Sequence, residues 1–131
     1  MITPIFGSEF PKKVIPLIDE AKHDIKIIVY DWRWYENDPA NPCQLFNQAI
    51  VRSVRRGVQV FAIVNNPKIA GFLKDQGCSV KVNQNSKIIH IKLMIIDEAI
   101  LIIGSHNYTQ SAFTTNYEMS VALSGEIDFL P

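Results

Sequence analysis

Residues 90–107 read HIKLMIIDEAILIIGSHN, in which two Ile-rich runs, 91–96 and 99–103, flank the polar pair Asp97–Glu98. Ile is a β-former, and a break of two or three residues between such runs predicts a β-hairpin. With Asp97–Glu98 as the turn, Ile96 faces Ala99 and His90 falls near Ser105. Side chains alternate along a strand, so His90 and Lys92 share one face. The open end of the hairpin then gathers His90, Lys92, Ser105 and Asn107. An imidazole, an ammonium and two small hydrogen-bonding side chains suit an anion, a phosphate above all. Asp97 is about 23 Å from His90 along a strand that rises roughly 3.3 Å per residue, so it serves a different end.

The chain has 131 residues, and one domain over 1–131 with a real core is the expected organisation. Its 47% hydrophobic and 20% charged content is that of an ordinary globular protein. Thirteen basic and thirteen acidic side chains cancel. A generic nucleic-acid binder carries a basic excess, so any phosphate affinity has to come from a local patch. Pro4 and Glu9 interrupt the start where a secretory signal needs an apolar run, and no run reaches transmembrane length. The expected location is cytoplasmic, with Cys43 and Cys78 as reduced thiols; a disulfide between them stays open as an alternative.

Outward from the hairpin, the pattern predicts strands over 2–6, 25–30, 58–64, 79–82 and 117–123. The Ile25–Tyr30 run is continuously apolar, as in a strand covered on both faces. Helices are expected from a Ser8 cap to about Lys22, with Pro16 as a possible kink, then over 44–56 and 68–76, with a helical turn at 109–113. Strand, helix, strand, helix, strand and then a hairpin predict an α/β domain with a mixed β-sheet sandwiched by helices.

The full spacing, His90-x-Lys92, four residues to Asp97, six to Gly104-Ser105 and one to Asn107, resembles the HKD motif of the phospholipase D superfamily, H-x-K-x4-D-x6-G-S-x-N, at every defined position. Asn116-Tyr117-Glu118 resembles the family's downstream N-x-E, and Arg56-Gly57-Val58-Gln59-Val60 its helix-to-strand segment. The chain has one motif, like the small bacterial endonucleases and mitochondrial phospholipase-like nucleases of the superfamily. The resemblance implies a phospholipase D-like fold and a homodimer with its active site on the two-fold axis.

It also implies a metal-independent phosphodiesterase with no cofactor, most readily an endonuclease acting on DNA or RNA. One His90 attacks phosphorus to form a phosphohistidine, and the partner's His90 protonates the leaving oxygen. Lys92 and Asn107 with their mates supply the charge that a metal otherwise would. Glu118 fixes the His90 ring through its other nitrogen. Ser105, Gly104 and Trp32 are the candidate substrate-contacting residues. A phospholipase, cardiolipin hydrolase or phosphatidyltransferase is the alternative within enzymes, although no strongly amphipathic basic helix stands out. A module that binds nucleic acid or dimerises without catalysis is the third reading.

Other residues carry plainer expectations. Asp97 is a turn residue, His106 faces away from the site, and His23 is exposed. A zinc site from His90, His106 and Glu118 lacks a recognised ligand spacing. Trp32, Trp34 and Tyr35 follow a strand's C-terminal end, so they either wall a ligand pocket and stack a base or pack in the core. Arg52, Arg55 and Arg56 form a solvated helix face. Two departures stand out. Asn65-Asn66 replaces the acidic residue of many relatives, and the family's further helix after N-x-E has little room in Glu126–Pro131, which leaves apolar surface for a partner to cover.

Overall fold

A computed structural model describes residues 1–125. Glu126–Pro131, where the resemblance would start a further helix, lie outside the described residues. The elements run β1 (Ile2–Phe6), α1 (Glu9–Asp19), β2 (Asp24–Val29), α2 (Pro42–Arg55), β3 (Gln59–Val64), α3 (Pro67–Asp75), β4 (Ser79–Val82), β5 (Lys92–Ile96), β6 (Ile100–Gly104), α4 (Gln110–Thr114) and β7 (Met119–Ser124). Asn-Pro pairs open two of the helices. Asn41 accepts from the N–H of Cys43 and Asn66 from that of Lys68, while Pro42 and Pro67 occupy first-turn positions whose N–H would be unpaired anyway.

The seven strands form one mixed sheet in the order β1-β7-β6-β5-β2-β3-β4. β2, β3 and β4 are parallel, joined by helical crossovers, and the other neighbours are antiparallel. Paired residues share a face. Ile5, Ile25, Ile27, Val60, Ala62, Met94, Ile96, Ile102 and Ala122 therefore line one side, and all are buried with residues of the four helices in one core. The opposite side carries Lys26, Ile28, Phe61, Ile63, Leu93, Ile95 and Ile103, half-buried or exposed. β2 thus alternates, unlike the strand covered on both faces that its apolar run predicts; Ile28 and Lys26 face the open side.

Two helix arginines have structural work. Arg52 forms a bidentate pair with Asp19 at 3.0 and 3.1 Å, and Arg56 donates to the carbonyls of Ile18 and Ala21. That second contact satisfies carbonyls at the end of α1, which stops at Asp19, short of Lys22. Both cysteines are free and buried, and burial pushes the Cys78 thiol up to about 11.

The central hairpin corrects the expected register by one residue. Ile96 pairs with Ile100, not Ala99, because the connection has three residues, Asp97, Glu98 and Ala99. Asp97 and Glu98 both adopt left-handed backbone, at φ 55° and 53°, and the Ala99 N–H closes the turn on the Ile96 carbonyl at 2.9 Å. A slip of one exchanges the faces of the whole partner strand. By the observed register Gly104, not Ile103, lies opposite Lys92, and Ser105 does not face His90 across the ladder.

Candidate active site

The open end of the hairpin lies where β2 and β3 finish, the edge at which α/β sheets usually hold ligands. His90 sits just before β5, with its backbone held on both sides. The Asn65 amide donates to the Ile89 carbonyl at 2.8 Å and to the Tyr30 carbonyl at 3.1 Å, and its oxygen accepts from the Ile89 N–H. The Tyr30 N–H donates to the Ile91 carbonyl at 2.9 Å, and the Tyr30 ring lies 4.6 Å from the imidazole. Spacing alone gives Asn65 no role; a polar residue ending a buried strand beside an Asn-Pro turn was the available signal.

Lys92 reaches the His90 ring, with Nζ 2.8 Å from Nδ1 and 3.3 Å from Nε2, and lies 5.6 Å over the Tyr30 ring. A charged ammonium only donates, so the nearer nitrogen accepts and a neutral ring carries its proton on Nε2. Burial lowers the Lys92 pKa below the usual lysine value, and the Glu118 charge partly opposes that. The ammonium thus reaches the ring with part of its hydration already removed.

Asn107, just beyond β6, accepts from the Asp31 N–H at 3.2 Å. The backbone there is tied across, Tyr108 N–H to Asp31 carbonyl at 3.0 Å and Arg33 N–H to Tyr108 carbonyl at 2.9 Å. Asn107 is therefore positioned by the loop after β2 and not by the hairpin ladder.

Ser105 turns toward β7. Its hydroxyl donates to Glu118 Oε1 and accepts from the Met119 N–H at 3.0 Å, while its own N–H donates to the Met119 carbonyl. Glu118 Oε2 accepts from the Asn116 amide at 3.0 Å. The expected Glu118–His90 bond is not made within the chain. β6 separates β7 from β5, two strand spacings of about 4.8 Å each, and the carboxylate is already anchored on the β7 side.

Gly104 has a packing reason. A Cβ there would stand 2.4 Å from both the Met119 carbonyl oxygen and the Ser120 Cα, so its lack of a side chain lets β6 and β7 approach. Trp32, expected at the substrate, packs largely in the core and also lines a cavity with Arg33, Trp34 and Phe72. It is 4% exposed, and its indole N–H donates to Asn47 at 2.7 Å. The aromatic pair that does border open space is Trp34 with Phe72 of α3, rings nearly parallel at 5.8 Å.

His106, expected to face away from the site, is buried in the core. Its Nδ1 meets Ser120 Oγ at 2.7 Å and its Nε2 the Gly7 carbonyl at 2.9 Å. A carbonyl only accepts, so Nε2 carries the proton and Nδ1 accepts from the serine. Burial lowers its pKa, opposed by the Gly7 bond and the Glu118 charge. With both nitrogens used, His106 cannot join His90 and Glu118 around a zinc ion.

Asp97 lies at the other end of the hairpin. Its carboxylate accepts three backbone N–H groups, from His23 at 2.7 Å, Lys22 at 2.9 Å and Asp24 at 3.1 Å. Burial alone would raise its pKa, but these bonds together outweigh that and leave it lowered.

Fold and site together define a phospholipase D-like domain. The family described as cardiolipin synthase, PLD-like domain, matches residues 14–129, and the chain belongs to it. Over 82 residues it is 32% identical to a mitochondrial cardiolipin hydrolase of Xenopus tropicalis, and over 70 residues 34% identical to one of Xenopus laevis. Those matches take in 58% and 49% of this chain but 39% and 33% of the relatives, so the chain spans well under half their length. Among solved structures, Nuc of Salmonella typhimurium, a phospholipase D family member, superposes with a TM-score of 0.79 at 24% identity, over 95% of this chain and 82% of that one. NucT of Helicobacter pylori does so with a TM-score of 0.75 at 22% identity, over 93% and 84%. Among the described residues no helix is long and apolar enough to cross a membrane.

Proposed function

We propose that this chain supplies half of the active site of a phosphodiesterase, acts as a homodimer, and cleaves nucleic acid through a phosphohistidine without a metal. The observation that carries the reading is the open hairpin end, where the side chains of exposed His90 and half-buried Lys92 meet at 2.8 Å beside the strand held by Asn65, and Asn107 is held by the Asp31 N–H. Phosphodiester hydrolysis needs a nucleophile, an acid for the leaving oxygen and cationic or N–H groups around the phosphoryl oxygens. Lys92 and Asn107 serve the last need. One imidazole cannot attack and protonate in the same step, so the acid comes from a second His90.

A two-fold contact through this end brings two such half-sites together. In support, Ile88, Ile91, Tyr117 and Met119 are exposed beside His90 and Glu118 in sequence, with Tyr117 fully exposed and Ile88 at 65%. Large apolar side chains open to water around a charged site are what an interface would cover.

A phospholipid substrate is the second reading, favoured by the cardiolipin hydrolases among the relatives. Incubating the purified protein with single-stranded DNA, duplex DNA, RNA and cardiolipin in EDTA separates the readings. The expected result is nucleic-acid cleavage that survives EDTA, with activity per chain falling on dilution as the dimer separates. Cleavage of cardiolipin alone would overturn the substrate, and activity restored only by Mg²⁺ would overturn the mechanism.

A further inference from the structure

A cavity of about 400 Å³ opens beside the phosphate site, bordered by Trp34, Phe72, Arg33, Lys68, Asn66 and Asp31. Asp31 is the shared wall. Its N–H holds Asn107 on one side, and its carboxylate holds Arg33 on the other, at 3.2 and 3.3 Å. The loop that carries the pocket is rigidly tied. Tyr35 donates its N–H to Gln44 Oε1, and its hydroxyl accepts from the Gln110 N–H, both at 2.8 Å.

The lining selects a chemistry. Trp34 and Phe72 lie 5.8 Å apart with only 6° between their planes, so a third flat ring can continue the stack. Arg33 and Asp31 neutralise each other, and Lys68 forms no ion pair among the described residues, which leaves the pocket one positive charge. Lys68 stands in the first turn of α3, where an acidic residue would suit the helix dipole better. A flat aromatic platform, the Asn66 amide and one free cation fit a base and its neighbouring phosphate. An acyl chain would meet Asp31, Arg33, Lys68 and Asn66 on this rim, and desolvating them against a hydrocarbon would be costly.

We propose that this pocket receives the base of the nucleotide next to the scissile phosphate, stacked on Trp34, with Lys68 at the adjoining phosphate, and that the substrate is accordingly single-stranded. A paired base would have to leave its duplex to enter. The proposal rests on the nuclease reading above and narrows it to a strand and a subsite.

The test uses the full chain with oligothymidylate, and with a strand of equal length built from base-free tetrahydrofuran units. In the His90→Ala protein, whose other tryptophan is buried, oligothymidylate is expected to quench fluorescence saturably, and the base-free strand to do so far less. By filter retention of labelled oligothymidylate, replacing Trp34 by Ala in that background should weaken binding roughly 10-fold or more, with Trp34→Phe, which keeps a ring, in between. In the active protein, Trp34→Ala should pull the kcat/KM ratio of base-bearing to base-free strand towards one. Phe72→Ala should move it the same way, so the test does not hang on one variant's folding. If oligothymidylate is cleaved while that ratio stays as in wild type, the pocket proposal falls and the nuclease reading stands. If neither strand binds nor is cleaved and cardiolipin is, the nuclease reading falls and takes the pocket with it.

Discussion

The two ends of the central hairpin carry motif residues of equal standing in sequence and opposite character in space. At the turn, Asp97 spends its charge on three backbone N–H groups, those of Lys22 and His23 after α1 and of Asp24 at the start of β2. At the open end, His90 is exposed and its side chain meets Lys92 and the Tyr30 ring. A satisfied carboxylate stabilises; an imidazole and an ammonium that still face solvent can act on a substrate. The lesson is that spacing identifies both residues, while the count of partners separates structure from chemistry.

The sharpest way to break this contrast is to exchange the penalties. His90→Ala is expected to abolish turnover, by about 10³-fold or more as for a missing nucleophile, with melting temperature and dimer mass unchanged. Residual wild-type rates would remove His90 from the chemistry. Gly104→Ala comes next, since its Cβ would press on the β7 backbone at 2.4 Å. A loss of about 1–3 kcal/mol by denaturant titration is expected, with activity lowered because Ser105 shifts. Asp97→Asn tolerates the left-handed turn but loses the charge, so it should cost about 1–2 kcal/mol and leave kcat per folded molecule intact. A selective collapse of turnover would contradict the division of roles.

Acid sharpens the same comparison. The folded pKa of His106 lies below its ordinary value, so the unfolded chain takes up a proton first. The stability it contributes is complete above about pH 6.5 and declines as pH falls from there toward the folded value. Asp97 is also lowered, but from the carboxylate value of 3.8, so its contribution persists until far more acid conditions. Stability measured between pH 7 and 5 should therefore fall, and His106→Gln should flatten that fall while Asp97→Asn leaves it in place.

Much of the fold follows from local pattern. Ile-rich runs and the Asn-Pro helix starts place the elements within a few residues, because each signal is contained in its own segment. What required long-range contacts was not legible. The three-residue turn depends on Asp97 finding N–H groups 73 to 75 residues away, and the one-residue slip follows from it. Asn107 is set by Asp31, Trp32 is drawn into the core by Asn47, and Trp34 meets Phe72 from another helix. His90 and Lys92 were legible as a contacting pair; the bond expected between Glu118 and His90 is not made within this chain, because Ser105 and Asn116 hold the carboxylate on the β7 side.

The central claim is that His90 takes the phosphoryl group. A strand labelled with ³²P at internal phosphates, mixed with enzyme and quenched in alkaline denaturant, tests it directly. The account predicts protein-bound label that is stable to base, released by acid and absent from His90→Ala. Strand cleavage at full rate with no label on the wild-type protein, or label that persists in His90→Ala, would contradict it.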